Sequence, residues 1–176
     1  MVSSFLTLPL AYISFTLEGR TDSEANLLQT IIQVFGTFLF VAIVVFFKRL
    51  LNTHFNFDST NRNLNLMILA EVTTGIFSML ALYVTPLKES AGYAVLVILA
   101  LQGIVQVQLG YKLLKLKNNL DGLLKPFCYA NMATGILFTT IFLIPLGVVV
   151  SAISDLMLGT LFLNMSKVVK NLDKKN

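Results

Sequence analysis

The sequence predicts an all-α integral membrane protein, a polytopic helical bundle of six transmembrane helices arranged as three hairpins. Three observations predict it. The chain is 56% hydrophobic and only 12% charged, with a mean hydropathy of +0.78; soluble domains carry about 25% charged residues. Its apolar residues fall into uncharged or nearly uncharged runs of the roughly 17–25 residues that a membrane span needs. Its basic residues fall almost entirely on one side of the resulting map, which turns the formal net charge of +4 into a topology signal.

The elements follow in order. Residues 1–17, MVSSFLTLPLAYISFTL, carry no charged side chain and sit at the short limit for a span. They lack the basic n-region and cleavage site of a signal peptide. Pro9 interrupts them, so five spans plus an interfacial N-terminal helix is the alternative. The capping-box spacing of TDSE (21–24) opens the second helix, whose span is 27–47. A linker with His54 and Asp58 follows, expected to lie at the interface with Leu51, Phe55 and Phe57 dipping into lipid. Further spans are expected at 65–86, 91–114, 126–144 and 146–167. Ser90 is expected to cap the fourth helix and Pro126 to occupy the first turn of the fifth. Pro145-Leu146-Gly147 is expected to separate the last two spans, because one helix over 126–167 would be about 63 Å long, twice the bilayer core.

With six spans and the N-terminus inside, the inner segments hold Lys48, Arg49, Arg62, Lys112, Lys115, Lys117, Lys125, Lys167, Lys170, Lys174 and Lys175. The outer ones hold only Arg20 and Lys88. With this bias the expectation is a multi-pass protein of the plasma (cytoplasmic, inner) membrane with both termini cytoplasmic. The tail KVVKNLDKKN is expected to anchor on anionic headgroups.

A short repeat organises the single domain, residues 1–176. AEVTTGI (70–76) matches ANMATGI (130–136), so that Glu71 aligns with Asn131. The return helices carry QVQLG (106–110) and DLMLG (155–159), which aligns Gln106 with Asp155. Hairpin units of about 1–50, 65–117 and 126–170 follow. At spacings of three and four residues, the odd residues of each helix share one face. Glu71, Gly75 and Ser78 do so in one helix, Gln102, Gln106 and Gly110 in the next. Asn131, Gly135 and Thr139 share a face of the following helix, and Gly147, Ser151, Asp155 and Gly159 recur every four residues in the last. Small residues at such spacing allow close backbone approach, and polar ones can bond across it. These stripes are expected inside, with Ile141 and Leu161 on opposite, lipid-facing sides. Counting from the turn at Lys88 puts Glu71 level with Gln106, close enough for a hydrogen bond. Asp155 falls nearer the midplane and is not level with Asn131.

The opening function is a non-catalytic scaffold or accessory subunit of a membrane assembly, with the lipid bilayer and other membrane-protein subunits or a second copy as partners. The alternative is a small proton- or cation-coupled transporter or channel using Glu71, Gln102, Gln106, Asn131, Ser151 and Asp155 as an intramembrane polar route. Ionisable groups in a span are costly and are functional candidates by default. The bland reading makes them packing groups, protonated or hydrogen-bonded. No enzyme motif is present: no phosphate loop, nucleophile elbow, zinc-protease pair or nucleotide fingerprint. One histidine and one aspartate in the linker do not make a metal site, and the lone Cys128 excludes an internal disulfide. No cofactor and no nucleic-acid partner are expected.

Overall fold

The computed structural model describes residues 23–116 and 122–173, with the side chains of His54, Thr85 and those beyond Leu163 not described. The expected span at 1–17, most of the TDSE cap, Lys117 and the extreme C-terminal lysines therefore lie outside the described residues. What is described is all-helical, without a strand: α1 (Ser23–Phe55), α2 (Asn61–Tyr83), α3 (Lys88–Leu113), α4 (Leu124–Thr139) and α5 (Ile144–Asp173). Four of these, α1, α2, α3 and α5, contain stretches long and apolar enough to cross a membrane.

The helices pack in chain order, each against the next. Neighbours run antiparallel, as two clasps on α1 and α2 demonstrate. Thr30 and Tyr83 hydroxyls meet at 2.9 Å at one end, and Lys48 Nζ donates to Asn65 Oδ1 at 2.9 Å at the other. Among the described residues the backbones of α1 and α5, the two ends of the series, do not pack on each other. Phenylalanine rings bridge them instead: Phe162 lies edge-on to Phe46 (5.3 Å) and Phe47 (6.0 Å), and Phe47 edge-on to Phe127 of α4 (6.1 Å). Edge-to-face rings at these separations are a favoured aromatic geometry.

The core sits at the end where the basic residues cluster. Leu51, Leu64, Leu113, Leu124 and Leu161 are fully buried there, with Phe47, Phe127 and Cys128 among them. This corrects the linker reading. The helix of the 27–47 span continues to Phe55, and Leu51 enters the core while Phe55 and Phe57 pack against it. The apolar residues at 51, 55 and 57 find protein rather than lipid because α1 runs well past a bilayer core, 33 residues or about 50 Å. Asn56, at φ 47°, then ends the helix in the left-handed region that Asn tolerates better than most residues. Leu161 is corrected likewise: it is buried, not lipid-facing, whereas Ile141 is exposed.

The expected span at 126–144 is shorter in the structure. α4 has 16 residues, about 24 Å, and ends at Thr139. Thr139 and Thr140 return their hydroxyls to Gly135, Ile136 and Leu137 carbonyls, the same kind of local bond that Thr30, Thr73, Thr134 and Thr160 make within continuing helices. The turn falls at 140–143, with Ile141 at φ 50°, and Pro145 sits inside the first turn of α5 rather than between the helices. A proline tolerates that position because its missing N–H would have no intrahelical partner. Pro126 occupies the first turn of α4 as expected. Ser90 does not cap α3: the helix begins at Lys88, and Ser90 Oγ donates to Leu87 O at 3.0 Å.

Two glycine contacts set the closest helix approach. A Cβ on Gly103 would strike the carbonyl of Gly135, and one on Gly135 would strike the carbonyl of Gly103. The α3–α4 crossing is thus backbone on backbone, the mode that small residues permit in membranes. Gly75 also faces the helix before it, but a Cβ there would meet only Thr37 Oγ1 at 3.2 Å and Gln33 Nε2 at 3.6 Å.

Candidate functional site

Between the end helices, above the packed core, lies a cavity of about 550 Å³ lined by residues of all five helices. Every residue of the anticipated polar route borders it: Glu71 from α2, Gln102 and Gln106 from α3, Asn131 from α4, Ser151 and Asp155 from α5. These positions are up to 84 residues apart in the chain, from 71 to 155. Helical periodicity brings them together: within each helix they sit on the inward face, and the opposite faces expose Leu69, Leu101, Ile136 and Ile153.

Pairing within the site differs from the expectation. Among the described residues Glu71 makes no hydrogen bond to Gln106, and Gln106 Oε1 is buried without a partner. Asn131 Nδ2 instead donates to the Gln106 backbone carbonyl at 3.1 Å, a bond between α3 and α4. Both residues of the level pair border the same cavity, but the expected hydrogen bond between them is not formed. The backbone contact at Gly103 and Gly135 brings α4 close enough to α3 for Asn131 to reach a main-chain acceptor. Ser151 Oγ donates back to Val148 O at 2.9 Å within its own helix.

Three lining groups are buried side-chain oxygens without a hydrogen-bond partner: Thr37 Oγ1, Gln102 Oε1 and Gln106 Oε1. Gln102 is 5% exposed and Gln106 7%. A buried polar group left unpaired costs about 1–3 kcal/mol, so such groups call for an explanation. Among the described residues the lining contains two carboxyl side chains, Glu71 and Asp155, and no Lys, Arg or His. Most of the wall is apolar: aliphatic residues such as Ile43, Leu99 and Leu158, and the rings of Phe40, Phe47, Phe127, Phe138 and Phe162. The arrangement is an apolar, partly aromatic space with two acidic groups set into it.

Sequence reasoning missed the contribution of α1. Gln33 and Thr37 line the cavity at i, i+4, with Phe40 one turn further. That spacing was available in QVFGTFLF (33–40), but Phe-rich surroundings disguised it as a lipid face. It also missed Asn63, 2% exposed at the basic end of α2. Asn63 Oδ1 accepts from Lys112 Nζ at 2.7 Å, and its Nδ2 donates to Val105 O and Gln108 Oε1, both at 3.3 Å. Lys112 Nζ also donates to Ser59 O at 3.1 Å. Positions 63, 67, 71 and 75 form one stripe of α2, so extending the Glu71 face two turns toward the N-terminus would have found it. Comparison of the chain with protein-family models, curated proteins and solved structures finds no match.

Proposed function

We propose that the protein is a small multi-pass membrane transporter or channel that passes protons or cations along an intramembrane polar route, without catalysing a reaction. The observation that carries the reading is the acidic cavity itself, which draws polar residues from all five helices. A scaffold has no need for two carboxyl side chains around a space of several hundred Å³; a packed apolar interior is more stable. A route for cations has use for them, since carboxyl oxygens replace hydration on the way through. The reading includes six spans, residence in the plasma membrane and cytoplasmic termini, supported by the one-sided distribution of Lys and Arg. It places the chain in contact with lipid through the exposed apolar faces of its helices, and no cofactor takes part.

The test is flux into sealed vesicles. Purified protein is reconstituted into liposomes, an inside-negative potential is imposed, and lumenal pH and labelled sodium are followed. Uptake of protons or sodium above protein-free vesicles is expected, with loss in Glu71→Gln and Asp155→Asn. Monodisperse protein that passes neither ion returns the scaffold or accessory-subunit reading, for which copurifying partners are then the evidence to seek.

A further inference from the structure

We propose that the cavity binds an amphipathic organic ammonium ion. Its charged head sits between the Glu71 and Asp155 carboxyl groups, and its apolar body lies against the phenylalanine rings. This deepens the transport reading and rests on it.

Charge comes first. Among the described residues two carboxyl side chains and no basic residue line the cavity, so anions are disfavoured and a cation is favoured. Hydrogen bonding comes next. Glu71 and Asp155 border the space, and among the described residues their carboxyl groups make no hydrogen bond, while the unpartnered Oε1 atoms of Gln102 and Gln106 are enclosed behind the wall. A protonated amine brings up to three donors on one atom, and bonds between charged donors and carboxyl acceptors are the strong ones.

Size separates an organic cation from a metal ion. A metal ion wants oxygen ligands converging at about 2.0–2.6 Å on one point. A space of about 550 Å³ instead falls within the roughly 300–1,000 Å³ of small-molecule sites. The rings supply the body's surroundings. Phe47, Phe127 and Phe162 form an edge-to-face cluster where the cavity meets the packed core. Such rings bury apolar surface, and their faces attract a cation that approaches them. A neutral apolar guest would satisfy the rings and leave the carboxyl oxygens unpaired, which is the costly outcome.

Calorimetry on the full chain in mild detergent tests this, with protein-free micelles as the blank. The probes are phenethylammonium and phenethyl alcohol, which share a ring and a linker and differ in the charged head. Saturable binding of the ammonium is expected, with the alcohol weaker by about tenfold or more. Glu71→Gln and Asp155→Asn should each weaken the ammonium by a similar factor and leave the alcohol unchanged. Equal affinity for the two probes, or no saturable ammonium binding, overturns the proposal. The wild-type comparison decides even if a variant fails to fold. Vesicle flux separates the two readings: proton flux without ammonium binding overturns this proposal alone, and ammonium binding without flux of any ion overturns transport alone.

Discussion

Glu71 and Asp155 carry the distinction between a route and a packing group. An amide is nearly isosteric with a carboxyl but neither exchanges a proton at physiological pH nor pairs as an anion. On the transport account Glu71→Gln and Asp155→Asn leave thermal stability in detergent within about 0.5 kcal/mol of wild type, since neither residue is tied into a hydrogen-bond network by its carboxyl. Melting curves check this, and a large loss at either site would mean that the carboxyl holds the fold. Asn63 is different in kind. It receives a Lys112 ammonium bond at 2.7 Å while nearly fully buried. Asn63→Ala should destabilise by about 1.5–3 kcal/mol, the range for a hydrogen bond to a charged group. In a double-mutant cycle Lys112→Met should add much less on that background than on wild type. Simple additivity would show that the pair is not coupled. Sequence spacing exposed Glu71 and Asp155 because an acid in an apolar run is conspicuous. Asn63 lies among other polar residues in TNRNLN (60–65), where one buried amide looks like its solvated neighbours.

Helices pack where their glycines allow it. At α3–α4 the crossing leaves no room for a Cβ at Gly103 or Gly135, because the obstacle in each case is the other glycine's carbonyl. Backbone cannot rotate away as a side chain can, so Gly135→Leu should cost about 3 kcal/mol or prevent folding, at or beyond the upper end for overpacking. Leu163→Phe, on a residue 46% exposed, should cost less than about 0.5 kcal/mol because lipid accommodates the added ring. Equal loss of detergent thermal stability in the two variants would place the Gly135 stripe outside the interior. Leu161→Phe belongs with the disruptive set, since Leu161 is buried in the core. The polar and glycine stripes were legible because period and composition coincide. Leu161 was not, because an apolar residue in a membrane helix reads the same whether lipid or protein covers it. Helix ends were legible only in part: Pro126 acts as its chemistry suggests, but α4 ends at Thr139, ahead of Pro145.

At the scale of the molecule, an open series of antiparallel helices is sealed at the basic end by a leucine and phenylalanine core and holds an acidic cavity beside it. The inside-positive bias predicts which side that core faces. In a Cys128→Ser background, Lys88→Cys should react with an impermeant thiol reagent in intact cells, and Lys115→Cys only after the membrane is opened. The reverse pattern would invert the topology. The one-sided charge was readable from the sequence, but the cavity was not, because among the described residues its walls come from five helices and depend on how these pack across sequence distance. The most direct test of the account is whether water reaches that space. In the same background, Ser151→Cys lies on the cavity wall and Ile153→Cys faces outward, 47% exposed in the original residue. Thiols react with a water-borne methanethiosulfonate only as thiolates, which form where water reaches them. The account predicts modification at position 151 within minutes in membranes and protection at position 153; an unreactive cysteine at 151 beside a folded protein would contradict it.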